Sequence, residues 1–324
     1  MPRLLALLFI LVTSHSALAH PTGSMVVIDG TVLWSYVCPV GSPDHRGCVM
    51  SWDEEMGARP WLISSFAASD WMMAPAADGK VYLVERYFDH ARQTNRTRLL
   101  IASVGATPEE LLPWFDDPHR FGEAGFAAIA GGRFLFARYP NLYLLNENGS
   151  ASKWLEWPVA VFGVRQVQGG LLLIRGESEA WLTTQDGRIL TGWSKLLQEL
   201  TSEPPFMGNR VFDADYEDGS LWIAYWGKRR FEVIREGART VVKSFDKPWL
   251  PHAVAADGGA VFMLASTIAA GDDQGIRPNL WRMKNNALEL LWGEHSGNVG
   301  SACANTDNSA ALPERCLDYS LNLN

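Results

Sequence analysis

Long apolar runs are almost missing from this chain. The single uninterrupted one, Leu4–Val12, is far short of the roughly 20 residues that a membrane-spanning helix needs. It follows a short basic start, Met1–Arg3, and precedes Ala17-Leu18-Ala19. That is the layout of a cleaved export signal, with small residues at the cleavage site. The sequence therefore predicts a leader over residues 1–19, a mature chain from His20, and no transmembrane segment in that mature chain. It also predicts an exported protein, periplasmic in the first instance or secreted.

Positive charge is in short supply. There are 28 Lys+Arg against 36 Asp+Glu, a formal net charge of −8. The densest basic group, Arg92, Arg96 and Arg98, reads as a solvated loop. Such a chain repels phosphate backbones, so nucleic acid is excluded as a partner. Cysteine is scarce, with four residues: Cys38, Cys48, Cys303 and Cys316. An even count in an oxidising compartment points to disulfides, and three connectivities exist. Cys38–Cys48 and Cys303–Cys316 are favoured because each closes a short loop. Neither spacing is a C-x-x-C zinc or redox motif. Also missing are G-x-S-x-G, a Walker loop, a dinucleotide fingerprint and H-E-x-x-H. No Ser/Pro/Gly-rich linker divides the chain.

What is present is a repeat. An apolar stretch runs into a tight Asp-Gly or Gly-Gly turn, and a β-rich stretch leaves it. The instances centre on Gly30, Gly79, Gly132, Gly170, Gly219 and Gly258. They recur about every 46 residues, close to the period of a four-stranded propeller blade. Asp-Gly and Gly-Gly suit two-residue hairpins because both central positions take positive φ. The departing strands, such as Leu221-Trp222-Ile223-Ala224-Tyr225, are rich in aromatic and aliphatic β-formers. A second hairpin follows in several units, as at Asp186-Gly187, Glu236-Gly237 and Asn285-Asn286. Two hairpins per repeat make one antiparallel blade. The expected fold is all-β, a six-bladed β-propeller of four-stranded antiparallel blades, or seven if the C-terminal tail adds strands. The expected division is a propeller over 20–294 and a disulfide-pinned tail over 295–324 packed on it.

Five tryptophans fall where the last strand of a unit should lie: Trp61, Trp114, Trp157, Trp193 and Trp292. Their recurrence with the blade favours wedges between blades over a sugar-stacking surface. Two stretches carry helix signals. Thr107-Pro108-Glu109-Glu110 has the form of a capping box leading towards Trp114. Trp193, Leu196, Leu197 and Leu200 have amphipathic helical spacing.

The stretch Pro251–Phe262, Pro-His-Ala-Val-Ala-Ala-Asp-Gly-Gly-Ala-Val-Phe, resembles an NHL-type or gluconolactonase-like propeller repeat, and Met73–Leu83 matches it more weakly. The resemblance implies the propeller architecture. It also implies that His252, after a Pro at the start of an innermost strand, stands near the central channel.

Candidate chemistry is sparse. His252 is a candidate base or metal ligand at the channel mouth. Asp213 and Asp215 alternate on Val211–Tyr216 and so share one face of a strand, as a calcium-binding or acid–base pair would. His20, as the first mature residue, offers an amine and an imidazole to copper, with His45 or His90 the nearest second imidazoles. Asp272-Asp273 and Asp116-Asp117-Pro118-His119 read as solvated turns. Asn95-Arg96-Thr97 and Asn148-Gly149-Ser150 are formal glycosylation sequons. Three functions follow. The first is a binding or assembly module for a protein or small-molecule ligand. The second is a metal-dependent hydrolase or lyase using His252, Asp213 and Asp215 with calcium or zinc. The third is a copper protein built on His20.

Overall fold

The computed structural model describes residues 24–37, 46–154, 161–175, 179–194, 211–247, 249–267 and 278–293. They form six four-stranded antiparallel sheets, each from four consecutive strands, and contain no helix. Blade 1 is β1 (Met25–Ile28), β2 (Thr31–Val37), β3 (Gly47–Asp53) and β4 (Gly57–Ile63). Blade 2 is β5 (Ser69–Pro75), β6 (Lys80–Asp89), β7 (Thr94–Ser103) and β8 (Glu109–Asp116). Blade 3 is β9 (Phe126–Ile129), β10 (Arg133–Arg138), β11 (Asn141–Leu145) and β12 (Ala151–Lys153). Blade 4 is β13 (Val161–Val167), β14 (Gly170–Arg175), β15 (Glu179–Thr183) and β16 (Ile189–Trp193). Blade 5 is β17 (Val211–Glu217), β18 (Ser220–Tyr225), β19 (Arg230–Arg235) and β20 (Ala238–Ser244). Blade 6 is β21 (Trp249–Asp257), β22 (Ala260–Thr267), β23 (Pro278–Lys284) and β24 (Ala287–Gly293).

The first strands of successive blades, β1, β5, β9, β13, β17 and β21, pack against one another around the ring and line its axis. The molecule is thus the six-bladed β-propeller that the repeat predicts. Each of the six turns that mark the repeat joins a first strand to a second, while Asp186-Gly187, Glu236-Gly237 and Asn285-Asn286 join third strands to fourth. Asp29 and Gly30 take φ of 47° and 78°, and Asp218 and Gly219 take 45° and 74°, as a two-residue turn with the twist of its strands requires.

The core divides the same way. Among the described residues, six hydrophobic clusters fill the six gaps between neighbouring blades. Among the described residues no strand is shared across the gap between blades 6 and 1, and side chains pack across it. Trp34 of β2 packs on Trp292 of β24 (ring centroids 5.4 Å apart), and Trp52 of β3 packs on Phe262 of β22 (6.0 Å). Arg282 of β23 caps this seam over the Trp52 ring and pairs with Glu54.

Trp61, Trp114, Trp193 and Trp292 all lie in fourth strands, while Trp157 lies outside the described residues. Trp61, Trp193 and Trp292 pack into clusters between blades. Trp114 instead stands edge-on to the stacked rings of Phe66 and Tyr87, with the Arg98 guanidinium over its face.

The predicted helix after Thr107 is not formed. Glu109–Asp116 is β8, the outer strand of blade 2. Two bulges in the β7–β8 ladder let both Leu112 and Phe115 pack against the cluster shared with blade 3. A sheet that needs its fourth strand outweighs a local cap. Trp193 ends β16, and the rest of the second predicted helix lies outside the described residues.

Candidate functional site

The axis is where blades bring polar side chains together. The first strands of blades 4, 5 and 6 each carry a bulge near their start, at Val161/Gly163, Val211/Asp213 and Pro251/Ala253. The extra residue is therefore 162, Phe212 or His252, at the same place in three consecutive blades. A bulge re-aims the side chains that follow it and is favoured at rims and sites.

Beyond the bulge, β17 presents Asp213, Asp215 and Glu217 at alternate positions towards blade 6. Asp213 Oδ2 accepts from the Val254 N–H (2.9 Å), Asp215 Oδ2 from Ala256 N–H (2.8 Å) and Glu217 Oε1 from Gly258 N–H (2.9 Å). Asp213 and Asp215 thus satisfy alternate backbone donors of β21, and Glu217 serves the turn that follows it; among the described residues β21 has no strand partner on that edge. Buried donors left unmatched would each cost about 1–3 kcal/mol.

Arg165 of β13 completes the network. Its Nη1 lies 3.0 Å from Asp213 Oδ2, and its Nη2 lies 3.5 Å from Asp215 Oδ2 and donates to the Met25 carbonyl at 2.6 Å. Blade 4 is thereby tied to blade 1 on the opposite side of the ring, so the guanidinium crosses the axis. Burial pushes both carboxyls up from the ordinary range, against the pull of Arg165 and the backbone donors. Burial works against the Arg165 cation, but Asp215 and Asp213 outweigh it and raise its pKa.

His252 is buried and stands edge-on to Phe212 and Trp226 (centroids 5.3 and 5.2 Å), which stack on each other at 4.2 Å. The two predicted carboxylates are neighbours, as their spacing implies, but each is engaged by Arg165 and by the backbone of β21. Among the described residues no three His, Cys, Asp or Glu side chains converge as a metal site.

Above Arg165, at the end where the first strands begin, the channel opens into a cup of about 370 Å³. That is within the usual range for small-molecule sites, about 300–1,000 Å³. Its charged lining is Asp70, Arg86, Glu123, Arg138, Arg165 and Asp213, and Met72, Phe126, Val164, Ile174 and Val211 are among its apolar walls. Asp70 pairs with Arg86 Nη2 at 3.1 Å, and the buried Arg86 Nη1 has no hydrogen-bond partner. Glu123 is shared by Arg138 (2.8 Å) and Arg120 (2.9 Å). Tyr139, more than half exposed, stands beside Arg138.

These arginines were not among the residues singled out from sequence. The strand ladders put Arg165 at the register position of Asp215, a match that the Gly turns read from sequence miss by one residue.

The remaining predicted sites are scattered. His90 is exposed at the tip of the β6–β7 hairpin, against Phe88. His119 stacks on Tyr143 at 4.9 Å. Asp117 is buried and structural, accepting from Thr97 Oγ1 (2.8 Å) and Phe121 N–H (2.6 Å). Cys48 is fully buried on β3. Residues 1–19, His20, His45, Cys38, Cys303, Cys316 and the Asp272-Asp273 loop lie outside the described residues.

No family model and no curated protein matches the chain. Solved structures do. The β-propeller domain of the Trilobed protease from Pyrococcus furiosus is similar at a TM-score of 0.47 and 11% identity, over 84% of this chain and 97% of that one. A gluconolactonase from Xanthomonas campestris is similar at 0.46 and 13%, over 83% and 86%. A putative oxidoreductase (glucose dehydrogenase) from Thermus thermophilus is similar at 0.45 and 13%, over 79% and 96%. The likeness is of the propeller fold.

Proposed function

We propose that this protein is an exported binding module whose ligand, a small polar molecule, sits in the cup at the mouth of the channel. One observation carries the reading. The channel holds an open, mostly apolar cavity with a few convergent charged groups, while the carboxylates beneath it are spent on holding the ring together. Such a cavity is the usual form of a small-molecule site. A hydrolase built on Asp213, Asp215 and His252 would have to release the first two from Arg165 and β21.

The test is a fragment library soaked into crystals of the mature protein. Fragments located between Arg86, Arg138 and Arg165 are the expected result. Fragments found only on the outer strands would turn the reading towards an assembly surface.

Export rests on Met1–Ala19 and the disulfides on the loop lengths. Protein recovered from the exported fraction is expected to start at His20. Its intact mass should be four hydrogens below that of the reduced chain, as two disulfides require. A different first residue would also remove the copper reading.

A further inference from the structure

We infer that the cup receives the carboxylate of a small organic acid, with Arg138 as its principal partner. This rests on the reading of the cup as a ligand seat and adds the charge and class of the ligand.

The charges around the cup are unevenly matched. On the blade 3 side one carboxylate, Glu123, serves two guanidiniums, Arg120 and Arg138. Arg138 uses Nη1 on Glu123 and keeps its other donors, and its side chain is 41% exposed. On blade 2, Arg86 uses Nη2 on Asp70 and has a second nitrogen, Nη1, that meets no acceptor. Both line the cup, from adjacent blades.

The opposite wall has no donor to spare. There Arg165 is held by Asp213, which lines the cup, and by Asp215 beneath it, and both carboxylates already accept backbone hydrogen bonds. A ligand cation would find its carboxylates occupied. A ligand anion finds the exposed donors of Arg138 unspent, with the buried charge of Arg86 behind the wall. A planar carboxylate matches the guanidinium fork, and charge-assisted hydrogen bonds of this kind are the strong ones. Between the two sides lie Met72, Phe126 and Val164, which suit an apolar body on the acid.

The experiment compares 3-phenylpropionate, its primary amide and 3-phenylpropylamine by calorimetry at pH 7 on the whole mature protein. The three share shape and differ in charge. The acid is expected to bind at least tenfold more tightly than the amide or the amine. Arg138→Gln should bring the acid to the level of the amide, with the melting temperature unchanged because the side chain is part-exposed. Added salt should weaken the acid alone.

Equal binding of acid and amide, or tighter binding of the amine, would overturn the inference. So would failure of all three while fragments of other chemistry occupy the cup, which would leave the ligand seat standing. A cup that no fragment enters would instead sink the seat itself.

Discussion

Arg165 shows how a single residue can organise a ring. Replacing it by Met would keep much of its bulk and leave two buried carboxylates without their cation. Breaking a buried pair from one side typically costs about 3–5 kcal/mol. The Arg165→Met variant is therefore expected to lose about that much in urea unfolding at pH 7. The pH dependence has a definite sign. Burial holds the Asp213 and Asp215 carboxyls above their unfolded values, so the folded state keeps protons that the unfolded state releases. That stability is lost as pH rises through the raised folded values. Removing Arg165 raises them further. The difference between variant and wild type should thus be large at neutral pH and shrink below the ordinary carboxylate range. A difference that does not change with pH would mean that packing, not charge, is what Arg165 supplies.

At the scale of strands and turns, glycine is needed for two different reasons. Gly219 has φ of +74° and open space around its Cβ position, so Gly219→Ala meets only backbone strain, about 1–2 kcal/mol. Gly170 has ordinary φ, but a Cβ there would lie 2.0 Å from the Thr183 carbonyl oxygen of the neighbouring strand. Gly170→Ala must push β14 from β15 and is expected to cost more, about 3 kcal/mol. Thermal unfolding of the two variants side by side checks the order.

These turns were the legible part of the sequence. Asp-Gly and Gly-Gly dictate backbone sign locally, and they marked all six blades. The capping box at Thr107 was equally local and misled, because the pairing of β8 with β7 is decided by the rest of the blade. The site was legible by halves. The spacing of Asp213 and Asp215 gave a shared face. It did not give Arg165, 48 residues earlier, or the β21 N–H groups that the carboxylates serve. Contacts between blades leave no periodic trace in either partner alone.

For the whole molecule the seam between blades 6 and 1 is decisive, since among the described residues no strand crosses it. Trp292 fills it against Trp34 and Tyr36. Trp292→Ala should cost about 3–5 kcal/mol by cavity formation. Hydrogen exchange should then quicken in β1–β4 and β21–β24 before β9–β16. Uniform quickening would show that the ring unfolds as one unit and that the seam has no separate opening.

That seam also bears on how such a ring changes over generations. Where one blade is stitched from both ends of a chain, a duplication in step with the blades leaves a mismatched strand at the join. Here each blade is an unbroken stretch of sequence, so copying or deleting one stretch adds or removes a whole petal. Only the clasp of indoles and the Arg165 tether across the axis must find new partners, and these are the parts that count blades.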